Sequence, residues 1–412
     1  MTDRRPDPTA PLGGAPVPWA SLPMPSRRGE PPFHMTEMIE AEPHLARRIL
    51  ARLEADPAAA ALAAALRAAA GEGRPILVTG CGTSEHAAMA VAAILTEALR
   101  EAGFVAALGA GGTPTAVQAF EARLDPGFAA DGAVVIGISH EGATGATNAA
   151  LAVARDAGAT VAAITAGTGS PVTGIAELVL DTAELDRSWC HTVGYVSPIV
   201  AAIALAGHVT GRAPDPEAVA GALEAGLALR VVSAVEAMAA RLDGVTSVVT
   251  VGAGADRIAA RELALKIEEG VHLPAFARDL ETVLHGHLAG MDGRTGMVLL
   301  LADAGVDGAG AQRADRARGV LAAAAEIGIV AGVIGAAPLT ARLGTRLGGV
   351  PVPAGTVSVP EPTGLSPAAA ALLATAVPLQ LLTERMARRR GVDPDPIRRD
   401  DPAYLAAADA AG

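Results

Sequence analysis

The sequence predicts an α/β protein with two tandem doubly wound parallel-sheet domains preceded by leading helices. Three observations predict it. Short apolar runs rich in Val and Ile alternate with stretches of helical periodicity, as in strands buried on both faces of a parallel sheet. The alternation occurs twice, strongly over 72–212 and more weakly over 244–390. A helix-patterned connector, 213–243, separates the two, and a duplicated domain is the simplest account.

The elements follow in order. Residues 1–34 are Pro-rich and polar, carry Arg4, Arg5, Arg27 and Arg28, and have no apolar run of the kind a signal peptide needs, so a disordered tail is expected. Over 35–71 apolar and charged residues alternate at helical spacing, with breaks expected at Pro43 and Pro57, which predicts two leading helices. In the first domain 75–80, 133–139, 160–165 and 178–182 have the pattern of strands, and 85–102 and 148–157 that of helices. In the second, 246–252, 297–302 and 329–335 are expected strands and 259–270 a helix. Residues 215–239 are expected to form a helical connector, and 391–412 a C-terminal tail.

The chain has 412 residues, a net charge of −12 and only 2% aromatic residues, so its core must be built from Ala, Val, Leu and Ile. The acidic balance argues against a nucleic-acid partner but leaves room for one small anion at a local site. The two cysteines, Cys81 and Cys190, form no CxxC pair, so reduced thiols and a cytoplasmic location are expected. Two stretches, 193–211 and 364–383, lack Asp, Glu, Lys and Arg and are long enough to span a membrane. Pro, Gly and polar residues interrupt both, so buried helices are expected and no membrane. Lys266 is the only lysine in an Arg-biased chain. It is either a chance survivor or a residue with a task that Arg cannot perform.

Two strand-to-helix turns carry candidate chemistry. Gly80-Cys81-Gly82-Thr83-Ser84 follows a strand and opens a helix. Its glycines permit close backbone approach to a ligand, its N–H groups and helix dipole favour an anion, and its hydroxyls add donors. A plain helix cap at Ser84 is the alternative. Ser139-His140-Glu141-Gly142-Ala143-Thr144 repeats the arrangement at the next junction. In an open parallel sheet both turns lie at the carboxyl edge, where ligands bind. In the second domain Lys266 and Glu269 are three apart on an expected helix, hence on one face, with Glu262 as an i−4 partner. Aldose–ketose interconversion wants one carboxylate between two carbons, and ring opening wants a second acid–base group such as histidine.

These stretches resemble the sugar-isomerase (SIS) domain family, whose domains are flavodoxin-like. Residues 80–88 are similar to its first signature, and 139–144 with 157–159 and 164–165 to its second, phosphate-binding stretch. Residues 261–269 with 285–289 resemble the isomerase half of the glucosamine-fructose-6-phosphate aminotransferases, as does the lead-in at 35–43. The resemblance implies a homodimer that needs no cofactor and no metal, and that binds a small, phosphorylated sugar near its interface. It implies that the sugar phosphate sits on Ser84, Ser139 and Thr144, that Thr192 matches a threonine of the family's crevice, and that Glu269 shuttles the proton and His285 opens the ring, with His287 as a substitute. Gly82, Thr83, His140 and Glu141 of the same turns are further candidate binding residues, and Lys266 a further candidate catalytic one.

The chain departs from the family in four places. Residue 2 is Thr2, and no glutaminase-sized segment precedes the isomerase-like part, so glutamine hydrolysis is not expected. Glu141 stands where the family has a phosphate-binding serine. A carboxylate beside a phosphate is costly unless it points away, is protonated, is offset by His140, or meets an amine or an unphosphorylated sugar instead. The tail has Arg398 and Arg399 but no lysine for imine chemistry. Trp189, Cys190 and His191 have no counterparts, and the spacing of Cys81, His140, Cys190 and His191 fits no metal motif. The expected function is isomerisation of an aminosugar or fructosamine phosphate, with or without loss of the amine. The alternative is a non-catalytic sugar-phosphate sensor.

Overall fold

The structure is a computed structural model that describes residues 7–12, 25–105, 111–130, 132–305, 308–345 and 351–411. Two leading helices, α1 (His34–Glu54) and α2 (Pro57–Gly71), precede the first sheet unit. That unit runs β1 (Ile76–Gly80), α3 (Thr83–Glu101), β2 (Thr115–Gln118), α4 (Ala119–Leu124), β3 (Val134–Ile138), α5 (Gly145–Asp156), β4 (Thr160–Thr165), β5 (Leu178–Asp181) and α6 (Val193–Thr210). The connector is α7 (Pro216–Leu227) and α8 (Leu229–Arg241). The second unit runs β6 (Ser247–Gly252), α9 (Asp256–Val271), β7 (Ala275–Asp279), β8 (Thr295–Leu301), α10 (Ala309–Ile327), β9 (Val330–Ala336), α11 (Ala337–Thr345), β10 (Gly355–Val359) and α12 (Pro367–Arg389), with α13 (Pro402–Ala411) in the tail.

Both sheets are parallel throughout, and both have one strand order. It is β2-β1-β3-β4-β5 in the first and β7-β6-β8-β9-β10 in the second. β1 and β3 are buried along their whole length, which explains their unbroken apolar runs. One continuous apolar core joins the inner faces of both sheets through α1, α6, α9 and α12, and each sheet has a smaller core on its outer face.

The two charge-free stretches are α6 and α12, both long and apolar enough to cross a membrane. Here they are packed inside the protein, α6 against α1, α2 and α3, and α12 against α7, α8 and α9.

Two expectations need correction, at Pro43 and in the tail, and the helical connector gains a bend. Pro57 opens α2, but Pro43 does not break α1. A proline inside a helix costs about 3 kcal/mol. The buried Met38, Ile39, Leu45, Ala46 and Ile49 outweigh it, since a buried aliphatic or Met side chain contributes about 1.5–3 kcal/mol. The connector is two helices with a 47° bend, because Ala228 is extended. α7 packs on α1 and α12 while α8 packs on α12 and β10, and the bend serves both. Finally, the described part of the supposed disordered tail is bound to the fold. Leu12 is buried and its amide donates to Glu184 at 2.9 Å, and Arg28 pairs with Glu37 at 2.6 Å. Residues 1–6 and 13–24 lie outside the described residues.

Candidate active site

The first turn is shaped by close approach. A Cβ on Gly80 would lie 2.5 Å from the Ser84 carbonyl oxygen, and Gly82 has φ +58°, so neither position accepts another residue without strain. Gly82 precedes α3 as its cap, and Ser84, half-buried, lies in the first turn of the helix. Thr83 is buried and turns away from the crevice, its hydroxyl donating to Glu262 of α9 at 3.4 Å. At the second turn the buried Ser139 donates to the Thr144 hydroxyl at 3.3 Å, and Thr144 opens α5.

The loop after β5 reaches over this second turn. The Asp186 amide donates to His140 Nε2 at 2.9 Å, while Asp186 Oδ2 accepts the amides of Thr192 and Gly194, both at 2.9 Å. His191 Nδ1 lies 3.5 Å from that same oxygen, and His191 Nε2 lies 3.5 Å from Glu141. Burial favours the neutral ring of His191, but Asp186 and Glu141 outweigh it and raise its pKa to about 8. Burial lowers the pKa of His140. With its Nε2 lone pair engaged, the neutral His140 carries its proton on Nδ1. The expectation that a charged His140 offsets Glu141 is therefore corrected, because His191 carries that charge.

His140, Glu141 and His191 cluster within 4.8 Å, close enough to suggest a metal. His140 fails the test as a ligand, because the only lone pair of its neutral ring accepts a backbone N–H. The two cysteines do not join this cluster. Cys81 lies 3.9 Å from the Thr147 hydroxyl, and Cys190 is buried, with its thiol pushed well up in pKa by burial despite nearby Lys266.

The other half of the site is one face of α9. Lys266 is fully buried, 2.5 Å from Glu269 and 3.6 Å from Glu262. Burial opposes its charge, but the two carboxylates more than reverse this and hold its pKa above the ordinary lysine range. Glu262 is buried as well. Lys266, His86 at 2.7 Å and Thr83 outweigh the effect of burial and hold it below the usual carboxylate range. Lys266 thus stays protonated and is unsuited to forming an imine.

Glu269 is the exposed end of this chain, with 21% of its side chain accessible. It opens into a pocket of about 590 Å³ lined by Glu268, His272, Leu273, Pro274 and the tail residues Ile397, Arg398, Arg399 and Tyr404. Ile397 and Arg398 both have positive φ, a conformation that costs a non-glycine residue about 1–3 kcal/mol. Asp395 anchors the tail by accepting the amides of His34 and Met35 at 2.8 Å, while its carbonyl accepts the Trp189 amide at 3.0 Å.

Of the residues singled out in the sequence, the structure links Thr83 and Lys266 through Glu262, and Glu269 to both through Lys266. It gathers His140, Glu141 and Thr192 around Asp186 and His191, while Ser139 and Thr144 bond to each other in the same turn. Cys190 joins the groups, since a Cβ on Gly270 of α9 would meet its sulfur at 3.3 Å. His285 stands apart. It is 68% exposed and bonded to Glu281 at 2.9 Å, which also holds Arg316, while His287 accepts from Arg278 at 3.2 Å. Within one chain His285 does not join Glu269. Asp186, His86, the buried Glu42 and its neighbour Gln380 were not singled out. Only Glu262 left a signal in the sequence, its i−4 spacing from Lys266.

No family model matches the chain. It is 32% identical over 228 residues to the glutamine--fructose-6-phosphate aminotransferase [isomerizing] of Symbiobacterium thermophilum, a match covering 52% of this chain and 36% of that protein. Among solved structures it is similar to the C-terminal domain of glucosamine-fructose-6-phosphate aminotransferase from Francisella tularensis, with TM-score 0.71 and 17% identity over 90% of this chain and 99% of that one. It is also similar to tagatose-6-phosphate ketose/aldose isomerase from Escherichia coli, with TM-score 0.67 and 18% identity over 90% and 97%. The same holds for glucosamine-6-phosphate deaminase from Thermotoga maritima, with TM-score 0.60 and 16% identity over 88% and 96%. The paired parallel sheets and these likenesses show that the chain has the fold of these solved structures. Its sequence similarity runs to the isomerizing aminotransferase, of which it spans about a third.

Proposed function

We propose that this protein is a sugar isomerase-type enzyme acting on an aminosugar or fructosamine-type sugar, with Glu269 as the base that moves a proton between adjacent carbons. The arrangement around Lys266 carries the reading. A buried cation fixes one carboxylate at the mouth of a pocket and is itself neutralised from behind by Glu262. A carboxylate positioned in this way suits proton transfer at carbon, for which one base serves both carbons. Arg398 and Arg399 close the pocket from the tail side and hold the sugar against Glu269. In a homodimer the exposed His285 of one copy is available to open the ring in the other. The coupled loss of an amine follows from isomerisation if the substrate carries nitrogen on the reacting carbons.

The test is an assay of aldose–ketose conversion and of ammonia or amine release on glucosamine 6-phosphate, galactosamine 6-phosphate and fructosamine phosphates, with their unphosphorylated forms alongside. The reading is abandoned if none is turned over and Glu269→Gln behaves as wild type. A sugar sensor without turnover is the second reading, favoured by the separation of His285 from Glu269 within one chain. Thermal stabilisation by a sugar that is never converted, with Glu269→Gln still binding it, would select the sensor.

A further inference from the structure

The turn between β3 and α5 offers an anion two things: the free N–H groups that open α5, and the charge of His191. Glu141, in the same turn, takes the second of them, with its carboxylate 3.5 Å from His191 Nε2. Its backbone is fixed. The Gly142 carbonyl accepts the Val172 amide at 3.0 Å and Asn148 Nδ2 at 3.3 Å, and the Ala166 amide donates to the His140 carbonyl at 2.9 Å. A Cβ on Gly142 would lie 2.0 Å from Ser170 Oγ, so the turn has no room to rearrange.

The charges around the turn add to a net negative. His140 is neutral with its Nε2 engaged, His191 is positive, and Glu141 and the fully buried Asp186 are negative. Lys266 is committed to Glu262 and Glu269, and Arg187, in the loop after β5, is exposed to solvent. The hydroxyls of Ser139 and Thr144 are bonded to each other. A phosphate dianion entering here would meet the Glu141 carboxylate already paired with His191, and like charges in a partly buried site repel strongly.

We propose that the Glu141 carboxylate is a built-in occupant of the anion position in this crevice, and that the sugar end lodged there presents hydroxyl or ammonium donors and carries no phosphate. The sugar is taken from the function proposed above; the exclusion of phosphate stands on the turn itself.

Calorimetric titration of the full chain with inorganic phosphate, glucosamine and glucosamine 6-phosphate tests both parts, on wild type, Glu141→Ser and the near-isosteric Glu141→Gln. Wild type should prefer glucosamine, and Glu141→Ser should shift the preference toward the phosphorylated sugar and gain phosphate affinity by about tenfold or more. Glu141→Gln should shift it in the same direction, which guards against a variant that fails to fold. Wild type binding phosphate or the phosphorylated sugar at least as tightly as the variants overturns the proposal. Phosphate binding gained only by the variants, with neither sugar bound by any form, would retire the sugar reading while supporting the assignment of Glu141.

Discussion

The two sheets share one strand order, and their first turns share a backbone, but one turn is left open at the side chain that begins its helix and the other is sealed by internal bonds to that side chain. Gly252 repeats Gly80: a Cβ there would lie 2.3 Å from the Asp256 carbonyl oxygen, four residues on, as Gly80 would from Ser84. Gly254 repeats Gly82, with φ +62°. The side chains then diverge. Where the first unit has Ser84, the second has Asp256, whose buried carboxylate accepts the amides of Ala302 and Asp303 at 2.9–3.0 Å across the strand ends. Asp303 in turn holds the Ala255 amide at 2.8 Å and Arg313 at 2.7 Å. The second sheet thus ties its strand ends together with internal bonds, and α9, which follows the sealed turn, presents Glu269 near its far end. The same backbone carries either turn, and a single residue at the helix start distinguishes them.

Four substitutions break or sharpen this contrast. The largest effect is expected for Glu269→Gln, which should lower kcat by about 10³-fold, as measured by steady-state assay on whichever sugar is turned over. Asp256→Ala should cost about 3 kcal/mol in urea unfolding, because it leaves two buried amides unpaired. His191→Gln should flatten the pH dependence of stability. The pKa of His191 is about 8 in the fold against an ordinary 6.5, so its contribution is complete below pH 6.5 and lost as pH rises through 8. That loss is about 2 kcal/mol in wild type, read from unfolding curves at pH 6 and pH 9. The smallest change, less than about 1 kcal/mol by thermal melt, is expected for Ser84→Ala, since the open turn depends little on that hydroxyl. If Ser84→Ala were as damaging as Asp256→Ala, the contrast between open and sealed turns would fail.

Interior strands were legible in the sequence and edge strands were less so. β1, β3, β4, β6, β8 and β9 are buried apolar runs, found within one or two residues of their observed limits. The three missed strands, β2, β7 and β10, all lie at sheet edges, where polar and half-exposed residues dilute the signal. Lys266 and Glu269 were legible because helical spacing alone puts them on one face. Asp186 and His191 were not, since an irregular loop brings them to Glu141 and no periodicity records that. His285 shows the converse limit: its motif was visible in the sequence, but its distance from Glu269 is a property of the folded chain.

The anchoring of the tail by Asp395 has a consequence for unfolding. Asp395 caps α1, and α1 packs on α6 of the first sheet unit as well as on α7 and α12 of the second half. The segment after α12 therefore works as a clasp across both halves, and they share one continuous core. The clasp and the shared core thereby couple the two sheets into a single cooperative unit. Releasing the clasp would loosen the Glu269 pocket and the domain junction together.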